Sequence, residues 1–175
     1  MNGISHLKSR MTMHSEKSKK ILFTVCEEPN SRQAFDYYAT KIHERSNPIV
    51  LMNVVVPSFS FADGRIPPLY HEDKQSGGVT QEKLKKTEDL LDGYLERCKE
   101  LKLRCTKETV ILKHNKVSDE ISSYAKGKFD LIVMSGGKHS TFERIFLGST
   151  TLNTIQKSSV PVMVIPNLSK TTQQS

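Results

Sequence analysis

The chain has 175 residues, 36% of them hydrophobic and 26% charged, with a net charge of +7. That composition fits one globular domain with short extensions, large enough to bury a core without disulfide or metal staples. No apolar run reaches the roughly 18 residues of a membrane-spanning helix. Four of the seven net positive charges fall in residues 1–20, so the remainder is too nearly neutral to indicate a nucleic-acid-binding surface.

Residues 1–19 are polar and basic, lack the apolar stretch of a secretory signal, and carry no helical apolar stripe, so a disordered tail is expected. Ile21–Val25 is a short apolar run rich in β-formers and predicts a buried strand. Glu27-Glu28-Pro29-Asn30-Ser31 predicts a turn with Asn30 or Ser31 as N-cap. Ala34, Phe35, Tyr38, Ala39 and Ile42 then recur at helical spacing, up to a stop near Pro48. Ile49–Val56 is almost continuously apolar, as in a strand covered on both faces. Residues 57–79 hold three prolines and three glycines and predict a long loop, either a lid, a binding segment or plain disorder. Within it, Phe59, Phe61, Ile66 and Tyr70 are candidates to cover a ligand or partner, or to pack the loop on its own domain.

Residues 80–102 predict the longest helix, with Leu84, Leu91, Tyr94, Leu95, Cys98 and Leu101 on its buried face. Thr109–Lys113 predicts a strand, starting as early as Cys105, and residues 117–126 a short helix with Val117 and Ile121 inward. Leu131–Met134 is a fourth strand, Ser149–Lys157 a helix and Val160–Ile165 a fifth strand, before a polar tail at 168–175. Strands alternating with helices predict an α/β three-layer sandwich: a five-stranded parallel sheet between helices, in one domain over 20–167.

Cys26, Cys98 and Cys105 are odd in number and form no CxxC pair, which points to reduced thiols and a cytoplasmic setting. The six histidines are scattered, with no HExxH and no Cys/His cluster, so no metal site is expected. Nor does any GxxxxGK[ST] occur.

In an open α/β sheet, ligands bind beyond the carboxyl ends of the strands. The segment after the fourth strand is the informative one there. Gly136 and Gly137 allow a sharp turn and close approach of the backbone to a ligand, and Gly148-Ser149-Thr150 opens a helix whose free N–H groups and dipole favour an anion. Lys138 adds a positive charge, and Arg144 either clamps a phosphate or pairs with Glu143 or Asp36. On spacing alone, a tight turn followed by an N-cap explains the same residues. Cys26 reads as a redox-responsive thiol at the site or as a small apolar filler, and His139 as a titrating group near a phosphate or a solvated loop residue.

From Lys20 to Pro166 the chain resembles the universal stress protein family. The resemblance rests on the Lys-Ile-Leu opening, Leu-Met-Asn-Val at 51–54, Phe-Asp-Leu-Ile-Val-Met-Ser-Gly at 129–136, Leu-Gly-Ser at 147–149 and Ser-Ser-Val-Pro-Val-Met-Val-Ile at 158–165. It implies an adenine-nucleotide α-hydrolase-like topology and a stress-response module binding ATP or AMP, with Mg accompanying the nucleotide. The implied nucleotide contacts are Cys26, Val54, Met134, Ser135, Gly136, Gly137, Lys138, Gly148, Ser149 and Thr150. The family's G-x2-G-x9-G-[ST] places its first two glycines on Ser135 and Lys138, while Gly148-Ser149 matches its end. Cys26 stands where the family has an aspartate beside the ribose, and losing such an acceptor costs about 1–3 kcal/mol. No catalytic base or Mg-binding carboxylate pair is evident, so slow hydrolysis is the most that is expected. The resemblance also implies a homodimer through the Val160–Ile165 edge strand. The competing reading is a dimeric interaction protein without nucleotide that acts through partner binding, for which Cys26, Ser135 and Lys138 speak. A nucleotidyl transferase would need histidines near the first strand, and Cys26–Asn30 has none.

Overall fold

The computed structural model describes residues 18–57, 78–113, 116–137 and 147–167. Residues 1–17 and 168–175 of the expected tails and the Phe59, Phe61, Ile66 and Tyr70 cluster fall outside these, as do Lys138, His139 and Arg144. Five strands, β1 Ile21–Thr24, β2 Ile49–Val55, β3 Cys105–Ile111, β4 Leu131–Ser135 and β5 Val162–Ile165, form one parallel sheet in the order β3-β2-β1-β4-β5. The helices are α1 Pro29–Tyr37, which runs on into a π-helical turn at Tyr38–Ile42, α2 Gln81–Glu100, α3 Val117–Ala125 and α4 Ser149–Lys157.

Alternation along the strands divides the core into two layers. Ile21, Phe23, Val25, Ile49, Leu51 and Val133 meet α1 and α2 through Ala34, Phe35, Tyr38, Leu91, Tyr94 and Cys98. Leu22, Val50, Met52, Ile132 and Met134 meet Ile121 and Ala125 of α3, with Phe129 and Val160. Both faces of the central strands are covered, which is why they read as unbroken apolar runs. Phe35 ties three elements together: its ring lies edge-on to Phe23 at 5.2 Å and to Tyr94 at 5.3 Å. Burial of one such ring contributes about 2–3 kcal/mol.

Local chemistry shifts several boundaries from those expected. Helix α1 starts at Pro29, with Glu28 at the N-cap position and no side-chain cap. Proline suits the first helical position because its missing N–H has no partner there in any helix. Asn30 and Ser31 therefore lie inside the helix and are released from the capping role expected of them. Thr80 caps α2 by accepting from Lys83 N at 3.3 Å. β3 begins at the earlier of its two expected starts and ends at Ile111.

The cysteines need a larger correction. Cys98 and Cys105 are joined by a disulfide across Cα atoms 6.2 Å apart, and Cys26 is free and exposed. The close of α2 explains it. Lys102 takes a left-handed conformation at φ 55°, Leu103 N donates to Cys98 O at 2.9 Å and Lys102 N to Lys99 O at 3.0 Å. This is a Schellman turn with lysine at the position glycine usually holds. It reverses the chain at once, so the first residue of β3 returns beside the last turn of α2.

Candidate functional site

A cleft of about 270 Å³ opens at the carboxyl ends of β1, β2 and β4. Its apolar walls are Val25, Met52, Val54, Met134 and, from α3, Val117 and Ile121. Its polar lining is Thr24, Cys26, Glu28, Asn30, Asn53, Ser135, Gly136, Gly137, Thr150 and Thr151. Seven of the ten expected contacts thus meet here: Cys26, Val54, Met134, Ser135, Gly136, Gly137 and Thr150. Gly148 stands next to them, because a Cβ built on it would lie 3.9 Å from Gly137 Cα. Ser149 is the exposed first residue of α4, and Lys138 lies outside the described residues.

At the turn after β4, hydrogen bonds within the fold limit the close backbone approach to a ligand expected of Gly136 and Gly137. Gly136 N donates to Ile165 O at 2.7 Å and Gly136 O accepts from Asn30 Nδ2 at 2.5 Å. Both backbone groups of Gly136 are engaged, one holding β5 and the other holding α1. The only described glycine with a positive φ is Gly127, so neither Gly136 nor Gly137 is required for a left-handed turn. Anion-binding capacity passes to Gly137 and to the start of α4. The N-cap of α4 is Gly148, and no described side chain caps the helix. Its first N–H groups and its dipole therefore face the cleft beside Gly137 and Thr150. Among the described lining residues the single charged side chain is Glu28, so at this end the dipole and the amides provide the attraction for an anion.

The opposite wall is built by hydrogen bonds to backbone. Cys26 N donates to Ser31 Oγ at 3.2 Å, and Tyr94 Oη donates to the same oxygen at 3.0 Å. Burial is the main cause raising the Tyr94 phenol above its usual pKa, so it stays a donor. Asn53 Nδ2 donates to Val25 O at 2.8 Å and fixes the exit of β1 against β2. Sequence reasoning missed Asn30 as a cleft residue because its position beside Pro29 suggested a cap. It missed Val117 and Ile121 because an i, i+4 apolar pair reads as core wherever it lies.

The model of the universal stress protein family matches residues 17–166. The chain belongs to this family. No curated protein sequence matches it. Solved structures support the fold. A universal stress protein family member from Burkholderia pseudomallei superposes with a TM-score of 0.62 at 17% identity, covering 85% of this chain and 96% of its own. The Archaeoglobus fulgidus universal stress protein in complex with dAMP gives 0.58 at 13% identity, covering 85% and 98%. An Arabidopsis thaliana family member with AMP bound gives 0.53 at 17% identity, covering 84% and 90%. The fold of this chain is thus that of a universal stress protein.

Proposed function

We propose that this universal stress protein is a stress-response module that binds an adenine nucleotide, ATP or AMP, in the cleft above β1, β2 and β4. One observation carries this: an apolar slot leads directly to the uncapped N-terminus of α4, where Gly137 and Gly148 stand side by side. A flat base suits the slot between Val54, Met134 and α3, and phosphate suits the amides of Gly137, Ser149 and Thr150. Lys138 and a Mg ion accompanying ATP complete the charge balance in this proposal. The nucleotides named for the Arabidopsis and Archaeoglobus relatives support the same ligand class. Cytoplasmic residence goes with this function, because adenine nucleotides are intracellular ligands.

Thermal-shift titration with ATP, AMP and GTP tests the proposal. Adenine nucleotide at a hundredfold its Kd should stabilise the protein by about 2.7 kcal/mol, with less effect from GTP. Gly148→Ala serves as the site control. Gly148 sits at φ −59° and ψ 156°, which alanine also adopts, so the unliganded variant should melt like the parent. Its methyl would narrow the gap to Gly137 and weaken the nucleotide shift. No shift with any nucleotide would favour the partner-binding reading.

A further inference from the structure

Asn30 lies in the first turn of α1, is only 9% exposed, and lines the cleft. Its Nδ2 donates to Gly136 O at 2.5 Å. A carbonyl oxygen can only accept, so this contact settles which end of the amide is which. The donor end faces Gly136, and Oδ1 remains as an acceptor that no described residue fills. Asn53 repeats the arrangement on β2, with Nδ2 donating to Val25 O at 2.8 Å and the side chain lining the same cleft. Each asparagine is thus anchored by its donor to a strand exit and keeps its acceptor in reserve.

Nearby groups accentuate the bias. Cys26 offers a thiol, a weak acceptor, and its N–H is taken by Ser31 Oγ at 3.2 Å. The α4 side of the cleft presents N–H groups that no described side chain caps, and these are donors. The cleft therefore holds both donors for an anion, at the start of α4, and amide acceptors for hydroxyl or amino donors, at Asn30 and Asn53. A nucleotide has that complement along its length, an anionic phosphate joined to a sugar bearing two hydroxyls.

We propose that Asn30, with Asn53, accepts hydrogen bonds from the ribose hydroxyls of the bound nucleotide and so supplies the acceptor that Cys26 cannot. This rests on the nucleotide-binding function proposed above. A site built around hydroxyl acceptors discriminates against a ligand lacking them, because the acceptors are then left buried and unpaired. The expected preference for ribose is about five- to a hundredfold in Kd.

The test is calorimetric binding of AMP, 2′-deoxy-AMP and 3′-deoxy-AMP to the full chain and to Asn30→Ala and Asn53→Ala. The parent should prefer AMP over at least one deoxy analogue by the stated factor, and Asn30→Ala should bring that ratio close to one. The ratio separates recognition from support. If Asn30 merely braces the turn at Gly136, its loss weakens all three ligands alike and leaves the ratio unchanged, which overturns the inference. Equal binding of AMP and both deoxy analogues by the parent overturns it too, while leaving nucleotide binding intact. Failure of the parent to bind any of the three overturns both proposals. Should Asn30→Ala not fold, an unchanged ratio in Asn53→Ala is the refuting result and a reduced one the supporting result.

Discussion

At the scale of single residues, His43 shows how burial becomes a pH response. It follows the π-helical turn, whose closing bond runs from His43 N to Tyr38 O at 2.8 Å. Its Nδ1 lies 3.3 Å from Tyr38 Oη, and its Nε2 is buried without a partner among the described residues. Burial, with Glu44 adding to it, pushes the Tyr38 phenol up to about 12, so that hydroxyl stays protonated beside Nδ1. The same burial is the dominant cause lowering the His43 pKa below its ordinary 6.5, against smaller opposing effects of Asn47 and Glu44. The unfolded chain then binds more protons than the folded one in the window just below pH 6.5. Stability is full above that window and is lost as pH falls through it toward the folded value. Urea midpoints measured between neutrality and mild acid should fall more steeply for the parent than for His43→Gln, and parallel slopes would contradict this. Little of this was legible beforehand. Tyr38 was placed correctly in the core by its spacing, but the extra residue of the π-turn that brings His43 back over it has no sequence signature.

Among the elements, the junction of α2 and β3 departs furthest from expectation. A seven-residue separation between Cys98 and Cys105 spans the end of a helix and the start of a strand, and no spacing rule marks it as a pair. Only the left-handed Lys102 brings the sulfurs together, and lysine does not announce such a turn as glycine would. The helix stripe was legible at its centre: Leu91, Tyr94 and Cys98 are buried, whereas Leu84, Leu95 and Leu101 are half-buried and the buried Thr87 was not expected. Ion pairs reinforce the junction: Lys107 of β3 reaches Glu88 at 2.6 Å and Asp92 at 2.7 Å on α2. These groups are largely exposed, and such pairs contribute less than 1 kcal/mol each, roughly. The covalent link is the larger effect. For so short a loop the chain-entropy relation gives about 2 kcal/mol. Reductant should therefore lower the melting temperature by roughly 4–8 °C. Cys105→Ser should melt near the reduced parent and ignore the reductant. An unchanged parent melt, with both thiols shown free by titration, would count against a stabilising role.

For the molecule as a whole, the parallel sheet and the covering of both its faces were legible from alternating strands and helices, whereas the topology was legible only through the family resemblance. The binding end followed from the same topology, whereas the polarity of the cleft did not, because it depends on which backbone groups Asn30, Asn53 and Gly136 already satisfy. β5 is an edge strand whose outer side has no partner within the described sheet, with Val162, Met163 and Val164 only half-buried. Leu152 and Ile155 on the neighbouring α4 are exposed apolar residues. An apolar edge of this kind invites a second copy, and we propose a homodimer through β5, as expected from the final strand. Sedimentation at micromolar concentration should give a dimer for the parent and a monomer for Val164→Lys, since an edge charge opposes pairing. A monomeric parent would remove the proposal.

The central place of β1 has a consequence for how the chain is made. β1 is synthesised first, pairs with β2 on one side, and on the other waits for β4, with Ile21 meeting Leu131 and Phe23 meeting Val133. Until about residue 135 has left the ribosome, an apolar strand destined for the middle of the sheet has one open flank. Closure therefore comes late in translation, and a growing chain of this kind is a natural client for a chaperone that shields unpaired strands.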